Sequence, residues 1–173
     1  MSDQAAGPHW TQVQVEIQTK EGPRQVPGLA ISLCPGLAVT MQSFGRFDVT
    51  HIGTGKKLAP TGAAGWQRAY NAMLRVAELS LIADWSGDPL AVFESIKARY
   101  EDTVPFPGTR VTTRGVEREM TIKEWWQSCS IDMPKVDEFP WEGADSPAYA
   151  VEAVLDLLAS RAAAAHLQEA SPK

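Results

Sequence analysis

Residues 11–18, TQVQVEIQ, alternate strictly: Val13, Val15 and Ile17 fall on one side, and Gln12, Gln14, Glu16 and Gln18 on the other. A period of two with a single apolar face predicts a half-buried antiparallel strand. TKEGPRQ follows with a Gly22-Pro23 pair and reads as a turn. VPGLAISL, residues 26–33, reads as a second strand, whose start Pro27 confines to an edge or a bulge because proline cannot donate to a ladder. GLAVTMQ is a third strand, SFGR a turn, and RFDVTHI a fourth strand. GTGK turns again into a short KLA. Consecutive strands usually pair, so a meander of four to five strands is the expected topology.

After PTGAAG the hydrophobic spacing changes to three and four. Trp66, Ala69, Tyr70, Met73, Val76, Ala77 and Ser80 form one helical stripe. Leu74, Leu79, Leu81 and Ile82 widen it, which predicts a central helix covered on more than one side and ending at Gly87. Asp88 is the expected cap of a second helix with Pro89 at its first position, and Val92, Phe93, Ile96 and Tyr100 form its apolar face. VPFPG forbids continuation. TRVTTRGVEREM reads as a small hairpin turning at Arg114-Gly115. Thr121 and Glu124 have capping-box spacing and open a short helix. MPKVDEFPWEGAD is a loop rich in proline and acid. Ser146-Pro147 starts a last helix, with Tyr149, Val151, Val154, Leu155 and Leu158 inward and an Ala-rich end expected to fray.

The fold class expected from these elements is α+β: an N-terminal antiparallel β-meander of four to five strands packed against three to four helices, with a small second hairpin. No internal repeat or linker divides the chain, so residues 1–173 are expected to form a single domain, with about 1–10 and 166–173 as mobile ends. Hydrophobic residues at 44% and charged residues at 21% are ordinary for a globular protein and argue against wholesale disorder. The net charge of −5 argues against a generic nucleic-acid binder but leaves room for a local basic patch. Cys34 and Cys129 lie far apart and form no C-x-x-C pair, so buried free thiols are expected rather than a disulfide. The N-terminus shows no secretory pattern and no apolar run is long enough for a bilayer; a cytoplasmic protein with no membrane partner is the expectation.

FDVTHIGTGKKLAPTG is the stretch that invites a chemical reading. A phosphate-binding P-loop would need glycine where Thr50 stands and Ser or Thr where Lys57 stands, and a helix starting at the lysine, which Pro60 prevents. Gly53-Thr54-Gly55 is explained instead by a tight hairpin turn, with positive φ angles expected at the glycines. His51 shares the parity of Phe47 and Val49 and is expected to be a partly buried, hydrogen-bonded histidine. A hydrolase reading would pair it with Cys34 as nucleophile and Asp48 as orienting acid. Three histidines without paired ligand spacing give no zinc site, and VDEFPWEGAD lacks the ligand spacing of a calcium loop. No cofactor is expected.

The strongest candidate surface is RVTTRGVEREMTIKEWW. Arg110, Arg114 and Arg118 precede Trp125 and Trp126, the residue mixture of protein hot spots and of single-strand nucleic-acid platforms. Adjacent tryptophans on a helix point about 100° apart, so one can be buried while the other is partly exposed. The alternative is that both are core and the arginines are merely solvated. Further basic tips are Arg46, Lys56 and Lys57. The GLAVT…FDVTHIGTGKKL hairpin followed by an amphipathic helix resembles small reading frames of bacterial mobile elements, a likeness that implies no activity. With no acid/base pair, nucleophile elbow, metal spacing or phosphate cradle, the expected function is non-enzymatic: binding another macromolecule, most simply a protein, or regulating it. The alternatives are a nucleic-acid-associated protein using the Arg/Lys hairpin tips, and a small hydrolase around Cys34 and His51.

Overall fold

The computed structural model describes residues 8–32, 34–43, 46–59, 65–105, 110–113, 115–130 and 147–169. Within them, the side chains at 59, 65–68, 70, 110, 113, 129–130, 147–150 and 165–169 are outside the description. The fold is α+β, as the pattern of alternating and helical stretches requires.

β1 (Trp10–Thr19) pairs antiparallel with β2 (Gly22–Ile31) over its full length, from Trp10–Ile31 to Thr19–Gly22. The turn is only Lys20-Glu21. The Thr19 hydroxyl closes it, donating to Gly22 O at 2.7 Å and accepting from Glu21 N at 3.2 Å. Gly22 supplies a φ of 111°. Pro23 to Gln25 therefore belong to the strand and not to the turn, a correction to the sequence reading. Both prolines fit because β3 (Cys34–Ser43) meets β2 only from Gly28 onward, leaving the Pro23 and Pro27 stretch with β1 as its ladder partner. β4 (Arg46–His51) and β5 (Lys56–Ala59) complete an antiparallel sheet in the order β1-β2-β3-β4-β5.

The sheet curls on itself. Gln18 N donates to Gly55 O at 3.3 Å, so the far half of β1 reaches the β4–β5 turn. Gly55 has φ +65°, and a Cβ there would stand 2.1 Å from Glu16 O; the turn needs glycine for backbone and for space. Gly53 does not share the positive φ expected of it. The turn is closed instead by His51 O, which accepts from Thr54 N and Gly55 N at 3.4 and 2.9 Å. The concave face buries Val15, Ile17, Val26, Ala30 and Ala38. Thr40 and Thr50 join it by parity, their hydroxyls 2.7 Å apart. Asp48 is 2% exposed there and pairs with Lys57.

The other face carries Leu37, Val39 and Val49 against α1 (Gly65–Ile82). α4 (Pro147–Glu169) packs on α1 through Val154 and Leu158, so α1 lies between sheet and helix. Its buried residues Ala72, Val76, Ala77, Leu79, Leu81 and Ile82 occupy every side, as a covered helix requires. α1 stops at Ile82 rather than at Gly87, because its last carbonyls are taken by side chains from elsewhere. Arg161 donates to Leu81 O at 2.9 Å, Arg99 to Ile82 O at 3.0 Å, and Trp85 Nε1 to Leu79 O at 2.9 Å. α2 (Pro89–Lys97) starts at Asp88, whose carboxylate accepts from Ala91 N at 3.3 Å. The Ala-rich end of α4 stays helical to Glu169, in keeping with alanine's propensity. Trp66, Tyr70, Tyr149 and Cys129 fall outside the described side chains.

Candidate functional site

β6 (Arg110–Thr113) and β7 (Val116–Glu119) form a two-stranded hairpin separate from the main sheet, followed by α3 (Ile122–Ser130). Two strands alone are marginal in water, so this hairpin depends on its root. Val104 N donates to Met120 O at 2.9 Å and Ile122 N to Asp102 O at 2.8 Å. Arg118 grips Glu124 with both guanidinium nitrogens, one bond measuring 2.8 Å. Glu124 also completes the capping box: its carboxylate accepts from Thr121 N at 3.0 Å, and its own N–H donates to Thr121 Oγ1 at 3.3 Å. Arg118 first, and then the Thr121 amide, hold the Glu124 carboxyl down at about 2. Beyond this root every residue of β7 is exposed, and Val116 near the tip is 66% exposed.

The candidate residues divide accordingly. Arg118 is committed to Glu124. Trp125 is 3% exposed and belongs to the core. Trp126 is half-buried, edge-on to Phe93 at 5.5 Å, and Phe93 is edge-on to Trp85 at 5.4 Å, so this row of rings fastens α3 to α2. Arg114, and the side chain of Arg110, lie outside the described residues. Arg46 and Lys56 are exposed and sit at opposite ends of β4, Arg46 as its first residue and Lys56 beyond the turn that follows it. Lys57 is bound to Asp48. The structure thus brings Arg118, Trp125 and Trp126 into one region and leaves Arg46 and Lys56 apart from each other.

Sequence reasoning missed a strongly perturbed, buried carboxyl group. Asn71, Arg75 and Glu78, spaced i, i+4, i+7 on α1, are 2%, 7% and 6% exposed. Arg75 Nη1 donates to Glu78 Oε2 at 2.7 Å, and the guanidinium lies 5.0 Å from the centre of the Trp125 ring. Burial raises the Glu78 carboxyl to about 7, against the opposing pull of Arg75 and of the Trp125 indole. That indole approaches the carboxylate short of full hydrogen-bond geometry. Asn71 Nδ2 is buried with no hydrogen-bond partner among the described residues. The available signal was the spacing: three polar residues on one face of a helix whose apolar residues recur on several sides.

His51 is 2% exposed, and both ring nitrogens are engaged, Nδ1 with Thr54 Oγ1 at 3.0 Å and Nε2 with Trp85 O at 3.0 Å. A carbonyl can only accept, so Nε2 carries the hydrogen and the ring serves as a strut between β4 and the end of α1. Cys34 sits in a small hollow with Gly36, Ser80 and Asp84. Burial pushes its thiol up, the Ser80 hydroxyl opposes this, and Asp84 adds to it. A raised thiol is the reverse of an activated nucleophile. Asp48 faces Lys57 rather than His51, being on the opposite face of β4.

Among the described residues no group of three or more His, Cys, Asp or Glu side chains could hold a metal ion, and no helix is long and apolar enough to cross a membrane. Comparison with protein-family models, with curated proteins and with solved structures finds no match to this chain.

Proposed function

We propose that this chain is a non-enzymatic binding protein that docks another protein through the β6–β7 hairpin. The observation that carries this reading is the contrast within the hairpin: a root fastened by the Arg118–Glu124 pair and backbone bonds, and a β7 strand exposed at every position. A strand exposed at every position contributes little to a core, so fastening its root favours a role at its surface. Val116 is then the apolar contact and Arg114 the orienting charge, while Trp125 and Trp126 support the platform from behind. The likeness to small reading frames of bacterial mobile elements is compatible with such a role.

The nucleic-acid reading draws support from Arg46 and Lys56, whose side chains have no acidic partner among the described residues. Against it stand the net charge of −5 and the commitment of Lys57 and Arg118 to carboxylates. The hydrolase reading has least support, given the raised Cys34 thiol and the fully engaged His51 ring.

Affinity capture from the native host, using wild type, Val116→Asp and Arg114→Ala, tests the proposal. Loss of a hot spot costs at least about 2 kcal/mol of binding, while a surface change leaves stability within about 0.5 kcal/mol. Reduced capture at unchanged melting temperature is expected for both variants. Capture equal to wild type by both would remove the hairpin from consideration, and salt-dependent retention on DNA or RNA that fails in Lys56→Ala would favour the second reading.

A further inference from the structure

The two edges of the five-stranded sheet are built differently. β5, at one edge, is four residues long and carries Lys56 and Lys57, so it is short and charged. Those are ordinary devices against strand addition. β1, at the other edge, is ten residues long, and its first six, Trp10 to Val15, contain no charge, no proline and no glycine.

Which backbone groups of β1 face outward follows from a single bond. Gln18 N donates to Gly55 O, away from β2, so by strand alternation Glu16, Gln14, Gln12 and Trp10 also point their N–H and C=O groups away from β2. The β4–β5 turn covers the first of these, for Gly55 lies against Glu16 O. Gln12 and Gln14 have no outward backbone hydrogen bond among the described residues, and their side chains are exposed. The open part of the edge therefore coincides with the uncharged part, and the single charge of the strand core, Glu16, begins where cover begins. Beside this open edge lies an apolar hollow of about 320 Å³, lined by Gln12, Gln14, Pro27, Leu29, Met41 and Phe47 among others.

We propose that β1 is a dimerisation edge, in which two copies of this chain pair their β1 strands antiparallel about a twofold axis at Gln12. Antiparallel pairing of a strand with itself is isologous and closes at two subunits. Centring on Gln12 places it opposite Gln12 of the partner subunit, Trp10 opposite Gln14 of the partner subunit, and Thr11 opposite Val13 of the partner subunit. Every facing pair is neutral, and the outward N–H and C=O groups of residues 10, 12 and 14 find partners. A register centred on Gln14 is blocked, because it needs the Glu16 edge that the Gly55 turn occupies. The chosen register also carries Trp10 of each copy to the rim of the other's hollow, adding apolar contact to a strand pair that is small for a stable interface. A reversible dimer results, joining the two sheets into one of ten strands.

Sedimentation of the full chain across the micromolar range tests this, with Gln12→Lys and Gln12→Cys as variants. Wild type is expected to show a reversible monomer–dimer equilibrium. Gln12→Lys sets two ammonium groups opposite each other and should weaken the dimer at least tenfold with little change in melting temperature. Gln12→Cys should give a disulfide-linked dimer on mild oxidation, beyond any background that Cys34 and Cys129 give in wild type. A wild type that stays monomeric to several hundred micromolar overturns the proposal, as does association beyond the dimer or a dimer that Gln12→Lys leaves intact. Should Gln12→Lys fail to fold, absence of the Gln12→Cys crosslink overturns it instead.

Discussion

Glu78 should make the stability of this fold depend on pH in an unusual direction. Its carboxyl is raised from an ordinary 4.5 to about 7 because α1 holds it out of water, so between those values the native chain keeps a proton that the unfolded chain releases. The stability that Glu78 contributes is therefore fully present below about pH 4.5, falls as pH rises through the window, and is lost above pH 7. The size of the shift corresponds to about 3 kcal/mol, or roughly 10 °C in melting temperature for a chain of this length. When Glu78 is neutral, the Arg75 charge is still met by the Trp125 ring face, which is why the protonated state is tolerated. The other groups with shifts titrate elsewhere. Glu124 and Asp84 are lowered and destabilise only as acid protonates them, below 4.5 and 3.8, while Cys34 is raised from 9.0 and acts in alkali. Urea unfolding of wild type and Glu78→Gln at about pH 5 and 8 isolates the effect. Glutamine keeps an acceptor for Arg75 but cannot ionise, so the variant should lose about 3 kcal/mol less than wild type on going from the lower pH to the higher. Parallel stability curves for the two proteins, or a wild type equally stable at both pH values, would refute the assignment of that proton to Glu78.

Gly55→Ala should destabilise by at least about 2 kcal/mol in urea unfolding, because it strains a left-handed residue and drives a Cβ into Glu16 O; an unchanged midpoint would mean that the sheet does not close there. Trp125→Ala should cost about 3–5 kcal/mol, since it empties a buried site and uncovers the Arg75–Glu78 pair, and half-buried Trp126→Ala clearly less; equal losses would contradict the difference in burial. Lys57→Ala should cost about 1–3 kcal/mol by stripping the cation from buried Asp48. Lys56→Ala should stay within about 0.5 kcal/mol of wild type, and neither change should affect ATP or GTP binding by calorimetry.

What the sequence made legible was whatever is fixed by local chemistry. The alternation of residues 11–18, the Asp88-Pro89 cap and the Thr121–Glu124 capping box each depend on a few neighbours, and each stands in the structure as read. The first turn was misread because Gly22-Pro23 is a turn signal on its own; only the register with β1, and the absence of β3 beside Pro23 and Pro27, make a strand of it. Gly53 and Gly55 look alike in sequence and differ because only one of them touches β1. His51, Asp48 and Cys34 could be joined on paper into a catalytic set, yet strand parity alone turns Asp48 to the opposite face of β4 from His51.

The candidate surface shows the same divide more sharply. Arginine beside tryptophan reads as a hot spot when the partners of each are unknown. In the fold Arg118 finds Glu124 six residues on, whereas Trp125 finds Arg75 on a helix fifty residues earlier in the chain. The first pairing is local and could have been anticipated from spacing; the second is tertiary and could not. Once both are in place, the tryptophans are accounted for by packing, and two surfaces that stay open among the described residues are β7 of the hairpin and the edge of β1 at Gln12 and Gln14. These two surfaces differ in kind. β7 presents side chains of both charges around Val116 and suits a partner recognised by its side chains, whereas Trp10 to Val15 presents uncharged backbone and suits another strand. On the two proposals, the chain associates with itself at the sheet edge and keeps its hairpin free for a different molecule, so loss of one interaction by mutation should leave the other intact.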